Sequence, residues 1–187
     1  MPEGAGQKDA GDPPMTLMIA GLVVGVVAIG AVLAVSASRK APPPAPIAIA
    51  GLPSPQAGSP ECRALLATLP DRLGDFRRAQ AADPVPAGTA AWRNSDARST
   101  GDPVILRCGL DRPAEFVVGS PLQVVDDVQW FRLEDPSLSR STWISVDRPV
   151  YVALTLPDGS GPGPIQSLSE VIARTMPAMP IRPAPAR

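Results

Sequence analysis

The chain has 187 residues, including 25 prolines and 16 glycines, so it is long enough for one domain of ordinary size with extended appendages. Its 17 basic and 18 acidic residues give a formal net charge of −1, which disfavours nucleic-acid binding. The sequence has no histidine, and this removes the commonest general base and metal ligand.

The N-terminus combines a polar tail with a long apolar run. Residues 1–14 mix glycine, proline and charge, which predicts a disordered cytoplasmic tail. Residues 15–37 are predicted to form a single transmembrane helix, because Met15 to Val35 is uncharged and spans about 31 Å as a helix. A cleaved signal peptide is the alternative, but the run exceeds a signal core of about 7–15 residues. We expect Met15 to Val35 to contact the lipid bilayer.

Small residues recur within this apolar run. Gly21 and Gly25 form a small-xxx-small pair, which is typical of a helix that packs against another membrane helix. The competing interpretation is ordinary composition, because glycine is frequent in membrane helices. The two glycines are therefore a candidate helix-packing face.

Residues 38–58 are rich in proline and alanine. Proline restricts φ and interrupts helices, so the stretch favours an extended conformation. We predict a linker that holds the following domain away from the bilayer.

Residues 59–176 are predicted to form an extracytoplasmic α+β domain. Ser59 is a suitable N-cap for a first helix that ends before Pro70. Residues 71–102 are mostly polar and turn-forming, with Phe76 and Trp92 as expected core anchors.

Period-two patterns dominate the rest of the domain and predict a small, mostly antiparallel sheet. An amphipathic helix over Ile165 to Met176 is expected to pack on this sheet, and residues 177–187 are predicted to be a disordered tail. The predicted strands are Val104 to Cys108, Glu115 to Val118, Leu122 to Val125, Val128 to Leu133, Ser141 to Val146 and Val150 to Leu156.

Cys62 and Cys108 are the only cysteines, and two interpretations are open: a disulfide or two buried free thiols. Closing this loop would stabilise the domain by about 4 kcal/mol and would require an oxidising compartment. Arg39 and Lys40 after the apolar run favour a cytoplasmic C-terminus instead. The cysteine pair and the proline-rich stretch favour a domain outside the cytoplasm.

Four motifs occur in a fixed order behind the apolar run: CRALLATLP from Cys62, AAW from Ala90, ILRCGLDRP from Ile105 and VDDVQWF from Val125. This ordered set resembles an actinobacterial family of membrane-anchored envelope proteins known only as a domain of unknown function. The likeness covers about Cys62 to Leu156.

The resemblance implies a single-pass protein of the cell membrane, with the domain outside and Cys62 paired with Cys108. It implies no catalytic residues, because the family has no assigned activity. The chain departs from the family pattern after Trp92, where RNSDARSTGDP precedes the strand in place of an early glycine and proline.

Few side chains suggest catalysis. Without histidine, and without lysine after Lys40, we assign no catalytic, cofactor-binding or metal-ligating residue and expect no cofactor. Carboxylates such as Asp127 and Glu134 leave a glycan hydrolase as the alternative, although aspartates also favour turns.

Aromatic and arginine side chains suggest a binding surface. Trp130 and Phe131 alternate along one strand, so one of them is expected to face outward and to form a ligand surface with Arg132. Arg107 is expected to pair with a carboxylate. The sequence thus predicts a non-enzymatic, membrane-tethered binding or accessory module of the cell envelope, with an envelope component or another membrane protein as partner.

Overall fold

The computed structural model describes residues 15–38, 44–96, 101–135 and 137–186, and it divides into an N-terminal unit and a domain that begins at Ala45. In the N-terminal unit, helix α1 runs from Met15–Ser38. The predicted disordered tail, residues 1–14, lies outside the described residues.

The prediction of a transmembrane helix is wrong for this structure. None of the helices formed by the described residues is both long enough and apolar enough to cross a membrane.

The domain is an α+β fold with a single antiparallel sheet. Helices α2 (Pro60–Thr68) and α3 (Gly163–Thr175) accompany eight strands in the described residues. The strands lie in the order β1-β2-β3-β4-β8-β7-β6-β5. They are β1 (Arg72–Leu73), β2 (Phe76–Ala79), β3 (Thr89–Asn94), β4 (Val104–Leu110), β5 (Leu122–Val125), β6 (Val128–Asp135), β7 (Arg140–Ser145) and β8 (Tyr151–Pro157).

The sheet is larger than the sequence predicts. Strands β1 to β3 lie within residues 71–102, which have few β-branched residues and were expected to form turns. The expected strand from Glu115 to Val118 is instead a loop with one bridge, between Val117 and Ala184. Antiparallel pairing and the position of Phe76 and Trp92 in the core are confirmed.

One face of the sheet carries both domain helices. Helix α2 begins where expected, because the Ser59 hydroxyl accepts a hydrogen bond from the Cys62 amide at 3.1 Å. Strands and helices bury a continuous apolar core here, and we call this side the helix face. Its largest fully buried side chains include Leu65, Trp92, Leu106, Trp130, Leu154, Leu168 and Ile172.

The opposite face is covered by two extended segments, and the prediction of a free linker is wrong for residues 45–58. Ile47 and Ile49 are buried against Ala91 of β3. The Ile47 amide donates to the Gln80 carbonyl at 2.8 Å, and the Gln56 amide donates to the Gly109 carbonyl at 3.0 Å. At Gly109 the φ angle is 88°, and a side chain would meet the backbone of Gln56.

The C-terminal segment also packs on this face. The Val118 amide donates to the Ala184 carbonyl at 2.8 Å, and the Ala184 amide donates to the Phe116 carbonyl at 2.9 Å. Phe116 is buried with Phe131 and Val146. The prediction of a disordered tail is therefore wrong for residues 177–186, because backbone hydrogen bonds hold this proline-rich stretch in place.

Candidate functional site

The two cysteines form the disulfide that the family resemblance implies. Cys62 on α2 is bonded to Cys108 on β4, and their Cα atoms are 5.6 Å apart. Both residues are fully buried in the core of the helix face. The sulfur atoms therefore join a helix to the sheet and supply no thiolate for nucleophilic chemistry.

Both aromatic residues of the predicted ligand surface are buried, so the expectation of an outward aromatic on β6 is wrong. Trp130 lies under α3, and its Nε1 donates to the Ser169 hydroxyl at 2.9 Å. Phe131 points to the opposite face, where its ring lies 5.5 Å from that of Phe116. Alternation along the strand is as expected, but both faces of the sheet are covered at this point.

Arg132, the third member of that surface, stays accessible. Its guanidinium lies over the indole of Trp143 at 5.2 Å from the ring centroid and pairs with Glu134 at 3.0 Å. Arg132 and Trp143 face each other across strands β6 and β7. A cation over an indole face at this distance is a favourable contact, so each side chain limits the rotation of the other.

Trp143 and Arg132 belong to a groove of about 360 Å³ at one end of the helix face. The opposite wall is the loop between β8 and α3, in which Gly159 and Gly161 have φ angles of 76° and 67°. Polar side chains reach the groove from three elements. They are Gln123 on β5, Asp158 and Ser160 in the loop, and Gln166 on α3.

The local sequence explains this geometry. Trp143 lies on the helix face of β7 beyond the part that α3 covers, so the indole is only half-buried, and its Nε1 donates to the Ser141 hydroxyl at 3.2 Å. The two positive φ angles favour glycine and turn the chain from β8 into α3 beside the indole. The groove combines an aromatic surface with amides, a hydroxyl and a carboxylate.

The carboxylates considered for catalysis are not brought together. Asp126 and Asp127 have φ angles of 44° and 63° and form the two-residue turn between β5 and β6. Glu134 lies near the far end of β6, seven residues after Asp127. In an extended strand this separation is about 23 Å. Glycosidase carboxyl pairs are separated by about 5–9.5 Å, so these two residues do not form such a pair.

Asp147 is engaged in a buried ion pair away from the groove. Its carboxylate lies 3.3 Å from Nη1 of Arg148, and both side chains are almost fully buried. Burial raises the pKa of Asp147, while backbone hydrogen bonds and the Arg148 charge oppose this rise. Arg148 also donates to the Asp127 carbonyl at 2.7 Å. These contacts fix the turns at one end of the sheet.

Arg107 does not have the carboxylate partner that was expected. No ion pair between described side chains includes it, and its Nη2 donates instead to the Ala50 carbonyl at 3.3 Å. Arg107 lies on β4 and points away from the helices, towards the face where the linker packs.

The described residues give no support for a helix contact at Gly21 and Gly25, and they contain no cluster of metal ligands. A methyl group added at Gly21 or Gly25 would meet no atom within 4 Å, and the helix-packing role of these glycines stays a prediction. Over the same described ranges, no group of three or more Cys, Asp or Glu side chains is placed to hold a metal ion.

Sequence reasoning missed the groove because its parts are distant in the chain. Arg132 was chosen for a ligand surface from the sequence, but neither Trp143 nor the loop from Pro157 to Pro164 was chosen. The order of elements in the sequence could have indicated the groove. A strand with a tryptophan is followed by a second strand, and that strand is followed by a glycine-rich turn before a helix. Antiparallel pairing of β7 with β8 returns that turn to the indole.

Comparison with known proteins places the chain in one family. The family model described as a protein of unknown function, DUF3515, matches residues 22–181, so the chain belongs to this family. No curated protein and no solved structure matches the chain.

Proposed function

We propose, for this member of the DUF3515 family, that the domain is a non-enzymatic binding module of an oxidising compartment outside the cytoplasm. Its ligand occupies the groove beside Trp143. The observation that carries the proposal is the half-buried indole of Trp143, held under the guanidinium of Arg132, in a groove lined by both apolar and polar side chains.

The composition of the groove favours a ligand with hydroxyl groups and an apolar face. An aromatic ring packs against apolar surface, and the side chains of Gln123 and Gln166 offer both donors and acceptors of hydrogen bonds. The Ser160 hydroxyl donates to the Pro157 carbonyl at 2.5 Å and can accept a further hydrogen bond. Its volume lies within the range of about 300–1,000 Å³ for small-molecule sites. A neutral oligosaccharide of the cell envelope satisfies these requirements better than a purely apolar or a strongly charged molecule.

The compartment is supported by the Cys62–Cys108 bond, because disulfides persist in oxidising surroundings and are rare in the cytoplasm. The actinobacterial envelope as the setting belongs to the same proposal and rests on the ordered motifs of the sequence. Because both sulfur atoms are buried, labelling of intact cells with an impermeant thiol reagent should succeed only after reduction under conditions that loosen the domain, such as moderate urea. Labelling that requires permeabilised cells but no reductant would contradict the assignment.

The binding test uses tryptophan fluorescence of the full chain. Trp92 and Trp130 have no exposed surface, so quenching by acrylamide reports mainly on Trp143. Titration with neutral and N-acetylated oligosaccharides of two to four units should protect this indole from the quencher. Calorimetry should then show binding that Trp143→Ala reduces at least tenfold.

Two variants separate loss of the site from loss of the fold. Trp143→Phe keeps an aromatic face and should retain most of the affinity measured by calorimetry. Val118→Ala changes an exposed apolar side chain outside the groove and should leave binding unchanged. Binding that survives Trp143→Ala, or a complete absence of oligosaccharide binding, would overturn the proposal.

A further inference from the structure

A second cavity lies on the sheet face opposite the helices. The linker segment covers this face over β2 to β4, and the loop around Phe116 covers it over β5 to β7. Between these two covers is a cavity of about 290 Å³. It is therefore separate from the groove beside Trp143.

Strand register explains the floor of this cavity. Four residues form one row across β6, β7, β8 and β4, with two threonines in the middle and an apolar residue at each end. The threonine hydroxyls are 3.1 Å apart and hydrogen-bonded to each other. In strand order the row is Leu133, Thr142, Thr155 and Ile105.

Three charged residues line the cavity beside this row: Arg107 from β4, Arg140 from β7 and Glu134 from β6. The Glu134 carboxylate pairs with Arg132 at 3.0 Å, so its charge is already balanced by an arginine outside the cavity. Burial lowers the pKa of Arg107, and the positive charge of Arg140 lowers it further, so the two cations repel each other. The Nε atom of Arg107 is buried and has no hydrogen-bond partner among the residues that the structure describes. Desolvating a guanidinium without a carboxylate is unfavourable, and an anion between the two arginines would offset this cost.

We propose that this cavity binds an organic carboxylate, which the terminal nitrogens of Arg107 hold with the help of Arg140. A guanidinium presents parallel N–H donors that match the two oxygens of a carboxylate. Because Nε is shut off from solvent, the ligand meets the terminal nitrogens of Arg107. Nη2 still donates to the Ala50 carbonyl at 3.3 Å, a long contact.

The apolar part of the cavity lining indicates which group the carboxylate should carry. Ile105 and Leu133 close the threonine row, and Leu138, which is 45% exposed, stands at the rim. A short alkyl chain on the carboxylate would bury apolar surface against these side chains, whereas inorganic phosphate would not. The cavity thus favours a carboxylate with an apolar tail over a small inorganic anion.

The experiment titrates the full chain with hexanoate, inorganic phosphate and hexanol, and follows the side-chain Nε–H signal of Arg107 by NMR together with calorimetry. Hexanoate should shift this signal in a saturable manner and should bind more tightly than phosphate. Tighter binding of phosphate, or equal binding of hexanol, would overturn the assignment of a carboxylate. The absence of any saturable binding would also overturn it.

Variants locate the binding. Arg107→Gln should weaken hexanoate binding at least tenfold, and Arg140→Gln should weaken it severalfold. Arg77→Gln, on the exposed surface of β2, is the matched control and should bind as the unchanged chain does. If Arg107→Gln fails to fold, Arg140→Gln decides alone, and unchanged affinity in that variant would contradict the proposal.

Discussion

The two faces of the sheet are stabilised in different ways. On the helix face, α2 and α3 join the strands in one continuous cluster of 20 buried residues. On the opposite face, the described residues form two clusters of three buried residues each, one under the linker and one under the Phe116 loop. Apolar burial is the main driving force of folding, so the helix face carries most of the stability.

This difference suggests a division of roles. The helix face holds the sheet together and has a groove at one end, beside Trp143. The opposite face is covered by chain segments that use isolated apolar residues and backbone hydrogen bonds, and the uncovered middle exposes Arg107. Variants that act on one face at a time can test this division.

The largest effect should come from the bond that ties the helix face together. Replacing both Cys62 and Cys108 with alanine removes the crosslink between two positions 46 residues apart. We expect the free energy of unfolding to fall by about 4 kcal/mol, because the unfolded chain gains the entropy of the open loop. Denaturant titration measures this loss. Reductant should destabilise the unchanged chain by a similar amount and should leave the double variant unaffected. A loss below about 1 kcal/mol would show that the helix face does not depend on this bond.

The second effect concerns the buried ion pair between Asp147 and Arg148, which lies beside the C-terminal segment. The Met179 amide donates to the Asp147 carbonyl at 2.8 Å, so the pair lies where the tail begins to cross the opposite face. Arg148→Met leaves Asp147 buried without its cation, and we expect a loss of about 3 kcal/mol near neutral pH. Thermal or denaturant unfolding across a range of pH measures it.

The pH dependence has a defined sign. Because the pKa of Asp147 is raised by burial, the folded chain binds more protons than the unfolded chain between the ordinary pKa and the raised one. Stability from this group therefore falls as the pH rises through that window. Arg148→Met should raise the pKa further, so its loss should shrink at acidic pH. Adding Asp147→Asn should remove the pH-dependent part, and a loss that is equal at acidic and neutral pH would contradict this account.

Much of the helix face could be predicted from the sequence, because it follows local periodic patterns. Strands β4 to β8 show alternation, α2 has its Ser59 cap, and Trp92 was identified as a core anchor. The opposite face could not be predicted in this way. Ile47 lies in a proline-rich stretch without periodicity, and its burial depends on backbone hydrogen bonds to a distant strand.

The candidate sites escaped prediction for a related reason. Arg107 was expected to find a carboxylate, but the side chains that line the cavity with it come from strands up to 48 residues later in the chain, at Thr155. Trp130 and Phe131 were expected to differ in exposure, because one covered face is the usual arrangement for an antiparallel sheet. Which residues meet is determined by the strand order, and no local pattern encodes that order.

The smallest effect compares one hydroxyl on each face. Ser169→Ala should leave the Trp130 indole N–H buried without an acceptor, and we expect a loss of about 1.5 kcal/mol. Thr142→Val removes a hydroxyl from the uncovered cavity on the opposite face, where water can satisfy Thr155, and should cost at most about 0.5 kcal/mol. Denaturant titration of both variants side by side gives the difference. Equal losses would mean that the middle of the opposite face is as well packed as the helix face, because only a closed cavity would leave Thr155 without a partner.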